Sequence, residues 1–570
     1  MVLKDSGRFA KRLFSVKGSL PNFFRRKKFG RVPVKGLLCG LSFAFCTCVG
    51  IPSATAAQTI TIRLGPFEQS IAIADLEEFA NTGKLPTSLQ GLSPLLPSEM
   101  RGLLQRRLEI NPETAEKFTQ ELQQTSVGRR LITSLKAALP GSSIESVQGA
   151  ISLALRQVNG LSVVDFLRAY PQQNVTVDAT KAISVAVEFN PKRLQSQAFG
   201  SLLARELYVK NPIDSSQIFK SINPANIGFA AVEQQTIKLR DKKRNRTIPV
   251  DIYSSRVSQS QQPLVVISHG FGANRRYLGY LARHLASYGV SVAAIEHPGS
   301  NMTAINQATN AADLKKLLNP TEFIDRPKDI SFLLDELTRI NTQPGKLQGK
   351  LNTQQVSVIG HSLGGYTALA IVGGELNIQQ LRSFCNDSLN IASAPADWLK
   401  CAAASLPEKK LQLQDSRVKS AIAFNPMVGK LFGSRGLSKI NRPVLMLTGT
   451  SDALTPALTH QIQPFNQLGG QKYLLTAIGG THLSISEGGF PVNPATTIIR
   501  ERRGVEARRL RELVKGVSVA FVKQLAPDAK EYQHVLTSAY AQSFSTPQIK
   551  LRLNSDLPRS IKPWLKLTSR

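Results

Sequence analysis

Cysteine is scarce in this chain, which has five cysteines in 570 residues. Three of them lie in the first 57 residues, which leaves only Cys385 and Cys401 in the rest of the chain. These two either form a disulfide bond or remain as buried free thiols. The even number favours a disulfide if the protein is exported to an oxidising compartment.

Acidic residues are also few, with 39 Asp and Glu against 71 Lys and Arg, and the formal net charge is +32. The first 57 residues hold eleven of the basic residues and one acidic residue, so about +22 belongs to the rest. Such an excess favours an anionic partner such as a membrane surface, or it is simply a solvated basic surface. Nucleic acid is not expected, because zinc-finger spacing and an aromatic–glycine RNA-binding signature are both missing.

Long apolar runs are missing after residue 57. The run Gly36–Ile51 follows a basic segment centred on Arg25-Arg26 and precedes the small residues Ala54–Ala56. This order predicts a secretory signal peptide over residues 1–57, cleaved near Ala56, and hence a periplasmic or extracellular protein. The alternative is an uncleaved membrane anchor, although the run is short and broken by glycines. Both the general secretory route and twin-arginine export stay open.

The remaining chain divides by pattern. Residues 58–190 have mainly helical periodicity and contain no His or Cys, which predicts a small helical domain of unknown role. A connector follows at 191–235. Strands then alternate with helices over 236–530, which predicts an α/β domain with a mostly parallel sheet. Residues 375–416 interrupt the alternation, either as a cap over the active site or as an insertion without a gating role.

Two further segments follow the alternating region. The sequence predicts a last helix over Ile498–Leu525, in which Arg and Glu recur at spacings of three and four residues. Its charged face is either solvated or contacts an anionic membrane surface. Residues 531–570 are predicted to form a C-terminal tail.

The stretch Val356–Gly365 carries the chemistry. Four β-prone residues run into Gly360-His361-Ser362-Leu363-Gly364, and helix-prone residues follow directly. Strand, glycine-flanked serine and helix in this order are typical of a nucleophile elbow, in which a strained turn exposes the serine hydroxyl. The helix start would place the Leu363 N–H where an oxyanion forms. With these features the sequence resembles the α/β-hydrolase superfamily.

An elbow serine needs an imidazole base and a carboxylate that orients it. The resemblance implies the chain order Ser, acid, His, each at the end of a strand. His482 follows a predicted strand and two glycines, whereas His460 lies on a helix and His534 beyond the last helix. Asp452 follows the preceding predicted strand, with a helix N-cap as its alternative role. We therefore expect Ser362, His482 and Asp452 to form a catalytic triad.

A second oxyanion donor is expected from the turn His269-Gly270-Phe271-Gly272, which follows a predicted buried strand. The backbone N–H of Phe271 is our candidate. We expect His269 to shape this turn, and Glu296-His297 to line a pocket at most.

The motifs from His269-Gly270-Phe271-Gly272 to the elbow are similar to platelet-activating-factor acetylhydrolases and their dienelactone-hydrolase-like relatives, over roughly residues 235–490. The resemblance implies cleavage of short or oxidised acyl esters, often on phospholipids, with no cofactor and no metal. That branch carries its acid one strand earlier, where this chain has Asn425. The N-terminal layout, with a helical domain that begins Ile60-Thr61-Ile62, resembles a cyanobacterial group of predicted hydrolases.

The sequence thus predicts an α/β-hydrolase fold with a cap insertion, preceded by a small mainly α-helical domain. The expected function is that of an exported serine esterase for a small-molecule or lipid ester. A hydrolase of a thioester, lactone or peptide is one alternative, and a non-catalytic binding protein on the same fold is another. The sequence does not indicate an oligomeric state.

Overall fold

A computed structural model of the chain describes residues 56–64, 67–90, 101, 104, 123–155, 162–210, 223–258, 261–307, 318–388, 393–487, 500–561 and 565. The predicted signal peptide lies outside these residues except for Ala56 and Ala57. The chain divides into two compact units, Met1–Glu77 with Arg106–Asp178, and Glu78–Gln105 with Ala179–Arg570. Across the described ranges, a helix with the length and apolar character to span a membrane is not found.

The first unit contains helices and a small sheet. Strands β1 (Thr59–Leu64), β2 (Phe67–Ala72) and β3 (Asn174–Asp178) form the sheet in the order β2-β1-β3, with β1 antiparallel to β2 and parallel to β3. The helices described before β3 are α1 (Ile73–Thr82), which belongs to this unit only up to Glu77, α2 (Ser126–Ala138), α3 (Ile144–Leu155) and α4 (Val163–Arg168). The sequence predicts a mainly helical domain here, and the structure adds this three-stranded sheet. It forms because Ile60 and Val175, on paired strands, alternate with polar residues and are buried.

The second unit is built on a large sheet. Its strands are β4 (Val232–Asp241), β5 (Arg246–Ser255), β6 (Leu264–Ser268), β7 (Val292–Ile295), β8 (Val356–His361), β9 (Glu375–Asn377), β10 (Lys410–Gln412), β11 (Val418–Phe424), β12 (Val444–Gly449), β13 (Lys472–Ile478) and β14 (Lys550–Asn554). All except β9 and β10 form one sheet in the order β14-β13-β12-β11-β8-β6-β7-β5-β4. The strands from β13 to β7 are parallel, while β14, β5 and β4 run antiparallel to their neighbours. This is the α/β-hydrolase fold, as predicted.

Helices cover both faces of this sheet. The helices described in this unit are α5 (Ala179–Glu188), α6 (Pro191–Glu206), α7 (Gly279–Ser287), α8 (Met302–Gln307), α9 (Glu322–Thr342), α10 (Leu363–Ile371), α11 (Ile378–Ser383), α12 (Pro395–Lys400), α13 (Gln463–Gln467), α14 (Arg508–Lys523) and α15 (Ser538–Ser543). Successive side chains of β6 point to opposite faces. Val266 therefore packs in the cluster with Leu334 of α9, and Val265 in the cluster with Leu281 of α7. The two clusters bury α9 and α14 on opposite faces.

The limits of these elements differ from the sequence prediction at several places. Helix α6 lies in the predicted connector, and β14 lies in the predicted tail, where it pairs with β13. Helix α14 begins at Arg508, ten residues after the predicted start, and Gly504–Ala507 before it form a short 3-10 turn. The insertion 375–416 contains β9, β10, α11 and α12, and the structure joins Cys385 to Cys401 in a disulfide.

Candidate active site

Ser362 lies in a sharp turn between β8 and α10. Its backbone has φ 56° and ψ −117°, a left-handed conformation that is costly for a residue with a side chain. The residues two positions before and two positions after Ser362 must be glycine. A Cβ on Gly360 would lie 1.9 Å from the Gly364 carbonyl oxygen, and a Cβ on Gly364 would lie 2.0 Å from the Ser268 carbonyl oxygen. The elbow geometry predicted from the sequence is therefore present.

His482 and Asp452 are in direct contact. Nδ1–H of His482 donates to Oδ2 of Asp452 at 2.7 Å, and both side chains are buried. The other carboxylate oxygen of Asp452 accepts the N–H groups of Leu454 at 2.9 Å and Thr455 at 2.8 Å. Thr455 also donates its hydroxyl to Oδ2 at 2.7 Å. Asp452 is thus held in one orientation, and His482 has its Nε2 left for a substrate-side proton.

The electrostatics of His482 suit a base near neutral pH. Burial disfavours the imidazolium, but the charge and hydrogen bond of Asp452 outweigh it and raise the pKa of His482 above its ordinary value. Glu501 adds to this increase through its charge. It also accepts the N–H of Leu483 at 2.8 Å, so it lies against the loop that carries His482. Sequence reasoning missed Glu501, which precedes α14 in an arginine-rich stretch.

Two side chains hold the backbone of His482. Nε2–H of His361 and Nδ2 of Asn425 each donate to the His482 carbonyl at 3.0 Å. Burial lowers the pKa of His361 well below its ordinary value, so this ring stays neutral. Asn425 has φ 41° and accepts the Gly449 N–H at 2.9 Å through Oδ1. The amide therefore links the ends of three neighbouring strands beneath His482.

The turn after β6 approaches the elbow closely. A Cβ on Gly270 would lie 3.2 Å from the Cβ of Ser362, so the Phe271 backbone follows directly beside the nucleophile. Leu363 is the first residue of α10, and its N–H therefore points beyond the start of that helix. These two N–H groups remain the candidates for the oxyanion hole.

His269 stabilises this turn. Its Nδ1–H donates to the Gly270 carbonyl at 2.7 Å, and its Nε2 accepts the His297 N–H at 3.0 Å. Burial, followed by the charge of Arg326, places the pKa of His269 well below its ordinary value. The neutral ring therefore shapes the turn.

Beneath the turn lies a buried polar network that the sequence did not reveal. Arg326 is fully buried and donates to Ser268 at 3.1 Å, to Ser300 at 2.6 Å and to the His269 carbonyl. Burial lowers the pKa of Arg326 to about 10. His297 is also fully buried and contacts Ser268 and Asp329, each at 3.0 Å. His297 was expected to line a pocket at most, and its ring is enclosed by these partners.

The other two histidines downstream of Ser362 lie elsewhere. His460 contacts Asp397 at 3.1 Å, and the ring of His534 lies against Tyr540 with centroids 6.4 Å apart. In the ranges that the structure describes, no group of three or more His, Cys, Asp or Glu side chains is arranged to hold a metal ion.

Two family models match the chain. Residues 56–178 match a family described as "Alpha/beta hydrolase of unknown function (DUF1400)", and residues 230–323 match "Platelet-activating factor acetylhydrolase, isoform II". No curated protein matches the chain. The second match ends before Ser362 and so contains none of the three triad candidates. Together with the sheet order, the matches confirm an α/β-type hydrolase that resembles platelet-activating factor acetylhydrolase.

Proposed function

We propose that this protein is an exported serine hydrolase that cleaves carboxylic esters through Ser362, His482 and Asp452. The observation that carries the proposal is the 2.7 Å contact of Asp452 with Nδ1 of His482, on loops that end neighbouring parallel strands. The left-handed backbone of Ser362 also supports the proposal, because a residue with a side chain rarely adopts this strained conformation outside a functional site.

In the first half of the reaction, Ser362 Oγ attacks the ester carbonyl while Nε2 of His482 takes its proton. Asp452 stabilises the imidazolium that forms, and its fixed hydrogen bond keeps Nδ1 as the protonated nitrogen. The backbone N–H groups of Leu363 and Phe271 bind the developing oxyanion. His482 then gives its proton to the leaving alcohol, and an acyl-Ser362 remains.

In the second half, water attacks the acyl-enzyme. His482 takes a proton from the water, and the collapse of the second tetrahedral intermediate returns that proton to Ser362 and releases the acid. Apart from this water molecule, the steps use side chains and backbone groups of this chain.

The substrate class rests on the resemblance. The match to platelet-activating factor acetylhydrolase supports short or oxidised acyl groups, including those on lipids. Export is supported by the predicted signal peptide and by the Cys385–Cys401 disulfide, since such bonds persist in oxidising compartments.

A panel of p-nitrophenyl esters from acetate to decanoate tests the bond that is cleaved. We expect turnover of the esters, highest for short chains, and loss of turnover in Ser362→Ala. A thioester, a lactone and a peptide p-nitroanilide are assayed beside them. Turnover of one of these with no activity on any ester would overturn the ester assignment, and inactivity on the whole panel would favour a binding protein.

A further inference from the structure

A groove with a cavity volume of about 570 Å³ lies between α7 and α14 on one face of the large sheet. Its lining includes four cationic side chains, Arg283 of α7 and Arg508, Arg511 and Lys515 of α14. Two acidic side chains, Glu487 and Glu512, also line it. We call this cavity the α7–α14 groove, and its lining carries an excess of positive charge.

The acidic residues neutralise the groove only in part. Arg283 lies 4.0 Å from Glu487, and Arg508 lies 3.5 Å from Glu512, and both arginine side chains are more than half exposed. Such exposed pairs are weak and leave the guanidinium groups open to another anion. Nη1 of Arg511 is buried and has no hydrogen-bond partner among the described residues.

Lys515 is partly buried in the groove. Burial lowers the pKa of Lys515 below its ordinary value, while the charge of Glu512 raises it and the smaller effect of Arg511 lowers it.

Large apolar side chains project at the rim of the groove. Ile227, Phe229 and Val505 are 82%, 81% and 89% exposed. Ile227 lines the groove itself, and Phe229 precedes the lining residue Ala230. Val505 follows Gly504, whose carbonyl accepts a hydrogen bond from Arg511 at 2.6 Å.

We propose that the α7–α14 groove and this rim bind the protein to a bilayer that contains anionic phospholipid. Guanidinium groups bind phosphate through paired hydrogen bonds, so the exposed Arg283 and Arg508 suit lipid headgroups. The projecting apolar side chains would insert at the boundary between headgroups and acyl chains. Binding of an acidic protein or a free phosphate would give the arginines a role. It would give no role to the exposed apolar side chains of Ile227, Phe229 and Val505.

The proposal is independent of the esterase activity, so it is tested by binding. Full-length protein is sedimented with vesicles of phosphatidylcholine, with or without 30% phosphatidylglycerol. We expect binding to the anionic vesicles that weakens with added salt, and little binding to the neutral ones. We expect Ser362→Ala to bind vesicles like the wild type. Vesicle binding therefore tests the groove, and ester hydrolysis tests the triad.

Variants locate the binding site. Arg283→Gln with Arg508→Gln should weaken binding by about 30-fold, which is the effect of two charges close to an anionic surface. The matched control is Arg339→Gln with Lys346→Gln, an exposed cation of α9 and one in the turn just after it; α9 lies on the opposite face of the sheet. This control should change affinity less than threefold, and Arg283→Lys with Arg508→Lys should keep most of the binding. All variants carry the same N-terminal segment, so differences between them report the groove.

The apolar rim distinguishes a bilayer from other anions. Phe229→Ser with Val505→Ser should weaken vesicle binding by about tenfold or more while binding to polyglutamate stays unchanged. The proposal is overturned if the wild type ignores anionic vesicles, or if the α9 control loses as much affinity as the groove variant. Unchanged vesicle binding in the Phe229/Val505 variant would also overturn it, in favour of an acidic protein or free anion.

Discussion

Asn425 donates a hydrogen bond from Nδ2 to the backbone carbonyl of His482 at 3.0 Å. It lies at the end of β11, where the platelet-activating-factor branch has its acid. In this chain the side chain faces the His482 carbonyl, while Nδ1 of His482 faces Asp452. The amide therefore positions His482, the proposed base, and the proposed acid Asp452 follows the next strand.

We predict that Asn425→Asp lowers the free energy of unfolding by about 3 kcal/mol and kcat/KM by roughly tenfold. A carboxylate cannot donate to the His482 carbonyl, and a charge would be buried without a cation. The control is Asn245→Asp in the β4–β5 turn, which has the same left-handed backbone but is exposed and accepts from Arg240. Denaturant unfolding and ester hydrolysis check both variants, and equal effects would contradict a special role for Asn425.

The pH dependence follows from His482. As the base it must be neutral, so kcat/KM falls as the pH drops through its pKa. Since Asp452 raises this pKa, we expect the acid limb of the profile above pH 6.5, the ordinary value of a histidine. In Asp452→Asn burial dominates, so the limb moves to lower pH and kcat falls roughly a thousandfold or more. A pH profile with an unmoved acid limb would refute this pairing.

Glu501 should affect the same profile less strongly. Its carboxylate raises the pKa of His482, and its own pKa is raised by burial. We predict that Glu501→Gln moves the acid limb to lower pH, by less than Asp452→Asn does, and leaves KM nearly unchanged. The matched control is Glu506→Gln, an exposed carboxylate in the same segment. A fall in kcat without a shift of the limb would instead indicate a purely structural role.

These residues show which parts of the candidate site can be predicted from the sequence. Ser362, His482 and Asp452 could be predicted because their types and strand ends are visible in one dimension. The partners Glu501, His361 and Asn425 could not be assigned, because their contacts connect strands and loops 18 to 121 residues apart. The strand order was implied by the alternating pattern, but β14 was missed since a two-helix excursion separates it from β13.

The insertion shows the same limit. Its buried ionic cluster could not be predicted from the sequence. Asp397 accepts hydrogen bonds from Lys400 at 2.5 Å, Lys192 at 2.8 Å and His460 at 3.1 Å, and these residues come from three distant segments. The N–H of Ala396, beside Asp397, donates to the carbonyl of Leu454 on the Asp452 loop.

We predict that Asp397→Asn lowers the free energy of unfolding by about 3–5 kcal/mol, because Lys400 is fully buried and would lose its counter-charge. Lys192→Met is the control, since Lys192 is partly exposed and its removal leaves the Lys400 pair intact. This control should cost about 1 kcal/mol. Denaturant unfolding compares them, and equal losses would show that the Lys400 pair is not the stabilising contact.

The central claim is that Ser362 is a nucleophile activated by His482. It is tested most directly by fluorophosphonate labelling followed by mass spectrometry of the tryptic peptides. We predict one labelled peptide, the one that contains Ser362, with labelling lost in Ser362→Ala and strongly slowed in His482→Ala and Asp452→Asn. A wild-type protein that stays unlabelled, or equal labelling of Ser362→Ala, would contradict the account.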